Sequence, residues 1–135
     1  MTEGLIAKIK HRPFFRAFYQ GHSNRIAINA LSVEHVLPQN PDDESQWKKD
    51  FTDEQRTIWT NRLGNLVLIT TKKHTSQGNA DYAVKKTRYF AKKIDTCPNS
   101  LRVLQNEKWT PTELEANHAE VLNKLRRHYG ITAIL

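Results

Sequence analysis

Four polar residues in the middle of the chain are of the types that transfer protons and bind metal ions. Glu34 and His35 are adjacent, and Asn65 and His74 follow them in that order. A neutral imidazole can accept a proton from water, and carboxylate and imidazole groups are ligands of divalent metal ions. Such a set could supply a base for water together with a bound cation, as in metal-assisted hydrolysis.

Two short strands are predicted to hold the first three of these residues. The segment 32–37 is partly β-branched and stops at a proline, which predicts a brief strand that carries Glu34 and His35. The segment 66–71 is largely apolar and predicts a well-buried strand directly after a turn that contains Asn65. A polar loop with two prolines and several acids is predicted between the two strands.

A helix is predicted to follow the second strand, beginning after Gly78 and just beyond His74. Its apolar stripe is predicted to consist of Ala80, Ala83, Val84, Thr87, Ala91 and Ile94. Lys85, Arg88 and Lys92 fall together on another face, because residues three and four apart are neighbours on a helix. The predicted order of elements is strand, loop, strand and helix. The polar residues follow in the order acid-His pair, Asn and second His. This is the layout of a ββα-metal active site.

Further helices are predicted on both sides of this central region. The N-terminal stretch 2–20 predicts a helix, and a T-x-x-Q pattern begins a short one at Thr52. Pro98 is predicted to break the helix that precedes it. Thr110 opens a T-x-x-E capping box, followed at once by a proline, and Gly130 is a natural stop for this last helix. The predicted fold class is α+β, a short two-stranded antiparallel sheet plus a helix with additional helices at both ends.

These motifs resemble the HNH, or His-Me finger, nucleases. The closest resemblance is to the C-terminal nuclease module of GmrSD-type modification-dependent restriction enzymes, over about residues 31–90. The motifs that carry it are Ser32-Val33-Glu34-His35-Val36-Leu37-Pro38-Gln39, then Leu63-Gly64-Asn65-Leu66, then His74 with Asn79, Tyr82 and Lys85.

The resemblance implies a single nuclease domain over residues 1–135. A helical N-terminal extension would occupy 1–30, the ββα core 31–94, and a C-terminal helical cover 101–135. Similar modules sit at the C-terminus of longer chains, behind a nucleotide-hydrolysing and DNA-sensing domain. The expected partners are therefore DNA and an N-terminal sensor or NTPase domain or subunit, and the chain is consistent with a piece excised from a longer protein.

The resemblance also implies a role for each of the four polar residues. His35 would be the general base, and Asn65 would orient its imidazole through a side-chain hydrogen bond. Glu34 and His74 would ligate one divalent ion, with Mg²⁺ as first choice and Mn²⁺, Co²⁺ or Ni²⁺ as alternatives, because an imidazole ligand suits these as well. Each residue also has an ordinary interpretation: Asn65 as a turn residue, His74 as a polar residue at a helix start, and Glu34 as an exposed strand carboxylate.

The charge of the chain indicates a polyanionic partner, most simply nucleic acid. Lys and Arg total 21 against 14 Asp and Glu, for a net charge of +7, and much of this excess lies between residues 72 and 93. The candidates for contacts to nucleic acid are Lys72, Lys73, Asn79, Lys85, Arg88 and Lys92. Lys85 is the first choice because it matches a basic position of the family motif, and Asn79 is alternatively a helix cap or a loop support.

The sequence thus predicts a metal-dependent DNA endonuclease, the nuclease module of a prokaryotic restriction or anti-phage defence protein. The alternatives are a non-cleaving nucleic-acid-binding module on the same scaffold and an RNA-directed, toxin-like nuclease. The single Cys97 excludes a disulfide framework within the chain and predicts a reducing, cytoplasmic setting. No apolar run approaches the roughly 20 residues that span a bilayer, so no membrane partner is expected.

Overall fold

Two strands and five α-helices make up the part of the chain that the computed structural model describes, which is residues 31–70, 78–88 and 98–130. In chain order the elements are β1 (Leu31–His35), α1 (Gln46–Asp50), α2 (Asp53–Trp59), a 3₁₀ turn (Leu63–Asn65), β2 (Leu66–Thr70), α3 (Tyr82–Arg88), α4 (Pro98–Leu104) and α5 (Pro111–Tyr129). The predicted α+β class is confirmed, and so is the order of two strands followed by a helix. The helix predicted over 2–20 lies outside the described residues.

The sheet consists of β1 and β2, which pair antiparallel with His35 opposite Leu66. The first strand is shorter than predicted, because the chain leaves the ladder after His35. Val36 and Leu37 are fully buried but lie in a bend, where their backbone groups bond to residues outside the sheet. The strand therefore ends at the residue that was predicted to carry the chemistry.

The core forms between the sheet and the helices around three aromatic side chains. Trp47, Tyr82 and Trp109 are buried, and the Tyr82 ring stacks on Trp109 with the centroids 6.1 Å apart. Burial, with the charge of Glu113 adding to it, raises the pKa of the Tyr82 hydroxyl to about 12. Trp59 is only partly buried and packs against this core from α2. The tryptophans are therefore packing residues rather than surfaces for stacking bases.

Both predicted capping boxes are present. Thr52 accepts the backbone N–H of Gln55, and the Gln55 side chain accepts the N–H of Thr52. At α5 the carboxylate of Glu113 accepts both the backbone N–H and the hydroxyl of Thr110. Gly130 ends α5 with φ of 63°, a left-handed conformation that glycine adopts without a steric penalty. Leu114 and Val121 of α5 are buried.

Two helices lie where none was predicted. In the polar loop between the strands, α1 forms around Trp47, whose indole is buried and donates to the carbonyl of Ala80 at 3.0 Å. Pro98 begins α4, since its fixed φ suits the first helical position. No helix in the described ranges is both long enough and apolar enough to cross a membrane.

The prediction of which face of α3 is buried is wrong. Tyr82 and Lys85 point into the interior, whereas Ala83, Val84 and Thr87 are exposed. The apolar stripe misled because Lys85, a residue that is almost always solvated, occupies an interior position and has partners there. This rotation of α3 brings Lys85 to the end of β1.

Candidate active site

His35 is the last residue of β1, and its side chain is largely buried. Its Nε2 lies 2.9 Å from the side-chain oxygen of Asn61, in the turn that follows α2. An amide oxygen can only accept a hydrogen bond, so this contact assigns the proton of the neutral ring to Nε2. The lone pair of the imidazole then lies on Nδ1, which is the nitrogen that can act as a base.

Asn61 is the contact residue that the sequence reasoning missed. It is exposed and stands between Thr60, whose backbone N–H bonds to α2, and Arg62, whose N–H bonds to the carbonyl of Trp59. These two bonds continue the end of α2 into a tight turn and thereby aim the amide of Asn61 at β1. The only signal in the sequence is an asparagine shortly before the Leu-Gly-Asn motif, and asparagine is common in turns.

The side chain of Asn65 supports the loop that follows His35 and bonds to neither nitrogen of the imidazole. Its Oδ1 accepts the backbone N–H of Leu37 at 2.8 Å and the indole N–H of Trp109 at 3.3 Å. Its Nδ2 donates to the carbonyls of Leu37 at 2.9 Å and Thr60 at 2.8 Å. Both amide hydrogens are thus used, and the predicted side-chain bond from Asn65 to His35 is wrong. The bond to Thr60 instead supports the turn that presents the amide of the next residue to the imidazole.

Glu34 is buried beside Lys85, and so it is not the exposed carboxylate that the ordinary interpretation of a strand residue would give. The exposed fraction of Glu34 is 2% and that of Lys85 is 0%. The ammonium Nζ lies 3.4 Å from Oε1 of Glu34, and it donates to the carbonyls of His35 at 2.8 Å and Val36 at 2.9 Å. Burial lowers the pKa of the Lys85 ammonium, and the Glu34 carboxylate opposes that shift.

The phosphate contact predicted for Lys85 is therefore wrong in this structure. A side chain with no exposed surface, whose ammonium is surrounded by three protein oxygens, has neither access nor a donor for a phosphate. Asn79 is exposed, but it borders a surface depression of about 280 Å³ whose other lining residues include Asp42, Glu44 and Asp81. Three neighbouring carboxylates disfavour a polyanion at this place.

The remaining predicted site residues cannot be placed beside these. His74, Lys72, Lys73 and Lys92 lie outside the described residues, and so does the side chain of Arg88, whose backbone ends α3. Of the predicted site residues, the structure thus places Glu34 and His35 at the end of β1, and Asn65 bonds to the loop that follows them.

Glu34 is the part of the predicted metal site that can be tested for fit. One carboxylate and one imidazole from the protein suit a hydrated ion such as Mg²⁺, which keeps several of its waters. The carboxylate of Glu34 is of the right chemistry, although it is buried and Lys85 binds one of its oxygens. Within residues 31–70, 78–88 and 98–130, no three His, Cys, Asp or Glu side chains cluster closely enough to hold an ion among themselves. The fit therefore depends on a ligand such as His74.

The fold and the site together define an α+β domain in which an acid-His pair ends the first strand of a ββα core. Residues 6–124 match the model of the family described as GmrSD restriction endonucleases, C-terminal domain. The chain belongs to this family, which confirms the resemblance and identifies a restriction-type nuclease module. No curated protein and no solved structure matches the chain.

Proposed function

We propose that this chain is a metal-dependent DNA endonuclease domain that hydrolyses phosphodiester bonds in a prokaryotic restriction or anti-phage defence system. The family supports endonuclease activity. The observation that carries the mechanism is the 2.9 Å contact between Nε2 of His35 and the amide oxygen of Asn61. A general base needs a lone pair that points at the proton it accepts. This contact fixes the orientation of the ring and leaves the lone pair on Nδ1 as the proton acceptor.

In this mechanism His35 accepts a proton from the attacking water at Nδ1. General-base catalysis of this kind contributes typically about 10²- to 10⁴-fold to the rate. Asn61 takes the orienting role that Asn65 was predicted to have, because it contacts the imidazole directly. Asn65 holds the backbone of Leu37 and the turn at Thr60, and so keeps both sides of the contact in place.

Glu34 and His74 would hold the divalent ion, with Mg²⁺ as first choice. When bound, this ion supplies positive charge to the phosphate and the leaving oxygen. Lys72, Lys73, Arg88 and Lys92 stay candidates for contacts to the DNA backbone. The N-terminal sensor or NTPase domain stays an expected partner, in keeping with a family of C-terminal domains.

The test is cleavage of a supercoiled plasmid by the purified chain, in separate reactions with Mg²⁺, Mn²⁺, Co²⁺ and Ni²⁺. We expect cleavage that His35→Ala lowers by about 100-fold or more and that His128→Ala, at the exposed end of α5, leaves unchanged. Cleavage that persists in His35→Ala, or no cleavage with any ion, would overturn the proposal.

Two further measurements, of DNA binding and of RNA cleavage, separate the alternatives. Salt-dependent DNA binding without cleavage would favour a non-cleaving module. Faster cleavage of single-stranded RNA than of duplex DNA would favour an RNA-directed nuclease. Modified and unmodified plasmids compared side by side show whether this domain itself senses the modification.

A further inference from the structure

We propose that Lys85 is a positioning residue of the active site, which holds the end of β1 in the conformation that aims Glu34 and His35. Its ammonium binds the carboxylate of Glu34 and the backbone carbonyls of His35 and Val36. The effect on cleavage rests on the proposed function, whereas the effect on the geometry of His35 does not.

The two carbonyls show what the ammonium does to the backbone. In a regular strand, successive carbonyls point in opposite directions, so a single cation cannot bind two of them in a row. The carbonyls of His35 and Val36 nevertheless converge on Nζ of Lys85, at 2.8 and 2.9 Å. The chain must therefore turn between these residues, and this is where β1 ends. Lys85 thus stabilises the bend that follows the candidate base.

The same bend is held from its other side by Asn65. Its backbone carbonyl accepts the N–H of Val36 at 2.9 Å, and its side chain binds both the N–H and the carbonyl of Leu37. Between them, Lys85 and Asn65 bind five consecutive backbone polar groups, from the carbonyl of His35 to the carbonyl of Leu37. A bend fixed at every polar group leaves the preceding His35 little freedom.

The ammonium of Lys85 lies in the interior of the protein. Nζ lies 5.9 Å from the centre of the Trp47 ring, where a cation is attracted by the face of the indole. Burying a lysine costs free energy unless its charge is paired and its N–H groups have acceptors. Here three oxygens match the three N–H donors of the ammonium, which explains how a lysine occupies the buried face of α3.

A positioning role and a phosphate-contact role predict different changes in Lys85→Met, which keeps the length of the side chain and removes its charge and donors. For positioning, we expect kcat to fall roughly 10- to 100-fold, with no change in the Kd for DNA or in its salt dependence. A phosphate contact would instead weaken binding and lower the salt slope by about one. That second pattern would overturn the proposal.

A spectroscopic readout tests the geometry without cleavage. Imidazole nitrogen–proton correlation spectra of ¹⁵N-labelled protein report which ring nitrogen of His35 carries the proton. We expect the Nε2–H form in the unaltered chain, and shifted or mixed His35 signals in Lys85→Met. The matched control is Lys86→Met on the same helix, whose ammonium donates to the carbonyl of Asn106 instead, and which should leave the His35 signals and kcat unchanged.

Lys85→Met leaves the buried Glu34 carboxylate without its cation, which is strongly destabilising. A second pair of variants therefore tests the proposal if Lys85→Met does not fold. In that case Glu34→Gln, whose amide oxygen can still accept from the Lys85 ammonium, is compared with the double variant Glu34→Gln/Lys85→Met, in which neither charge remains. A difference in the His35 signals between these two folded proteins supports the proposal, and identical signals overturn it.

The outcomes also separate the positioning role of Lys85 from the nuclease function. If the unaltered chain does not cleave but its His35 signals respond to the loss of Lys85, the positioning role holds and the nuclease proposal fails. If the chain cleaves and Lys85→Met behaves like Lys86→Met in both kcat and the His35 signals, the positioning role fails alone.

Discussion

The side-chain amide of Asn65 binds both backbone polar groups of Leu37, in the way that a neighbouring strand would. Oδ1 accepts the N–H at 2.8 Å and Nδ2 donates to the carbonyl at 2.9 Å. The pairing of the two strands is thus extended by a side chain past the point where the ladder stops at His35. Because Asn65 begins this link directly before β2, the loop after the candidate base is tied to the sheet itself.

Asn65→Ala is expected to destabilise the protein by about 2–4 kcal/mol, because it leaves buried groups of Leu37, Thr60 and Trp109 without partners. The free energy of unfolding in urea, followed by tryptophan fluorescence, measures this. The control is Asn123→Ala on the exposed side of α5, which should change it by less than about 0.5 kcal/mol. Equal stabilities of the two variants would contradict the supporting role of Asn65.

Asn61→Ala is expected to lower cleavage by about tenfold with little loss of stability. The side chain is exposed and its amide oxygen orients the ring of His35. The measurements are kcat on plasmid DNA and the urea midpoint, with Asn123→Ala again as control. Unchanged kcat in Asn61→Ala, in a protein that His35→Ala inactivates, would show that the imidazole does not need this contact.

Gly64→Ala is expected to destabilise the fold by about 2 kcal/mol or more. A Cβ at Gly64 would lie 2.4 Å from both Cα and Cβ of His118, and backbone atoms of α5 cannot rotate away. Gly78→Ala is the matched control, since nothing lies within 4 Å of a Cβ at that position. Thermal unfolding compares the two variants, and similar midpoints would contradict the close approach of α5 to the turn before β2.

Acid is expected to weaken the contact between Gly64 and His118. The N–H of Gly64 donates to Nδ1 of His118 at 3.1 Å, a bond that only an unprotonated Nδ1 accepts. Burial, and then the charge of Arg62, lower the pKa of His118 below its ordinary 6.5. Below pH 6.5 the unfolded chain therefore binds more protons than the folded one, and stability falls as the pH drops through the lowered pKa.

Unfolding free energies between pH 7.5 and pH 5 check this expectation. His118→Asn keeps an acceptor near the position of Nδ1 but does not titrate, so its loss of stability toward acid should be smaller than that of the unaltered chain. A loss of the same size in both proteins would assign the acid sensitivity to other groups.

Local features of the fold were predictable from the sequence because the interactions behind them span only a few residues. The capping boxes at Thr52 and Thr110 join a residue to one three positions away, and the stop at Gly130 depends on its own backbone. The apolar run of β2 likewise indicates a buried strand without reference to the rest of the chain. The start of α4 at Pro98 was not predicted, because a proline suits both the end of one helix and the start of another.

The face of α3 was not predictable, because periodicity treats each residue by its average preference for water. Lys85 counts as a solvated residue in any such pattern, and Val84 as a buried one, yet Lys85 is buried and Val84 is exposed. The preference is reversed by acceptors that β1 supplies from far away in the chain. Only the packing of α3 against the end of β1 makes the buried ammonium favourable.

The class of the fold, the acid-His pair on a short strand and the family of the chain were predictable from the sequence alone. The tertiary structure decided which residue supports which: Asn61 instead of Asn65 on the imidazole, and Lys85 in the interior instead of on DNA. The physical reason is that a hydrogen bond depends on distance and direction. Residues far apart in the chain meet only when the strands, the turns and α3 have packed.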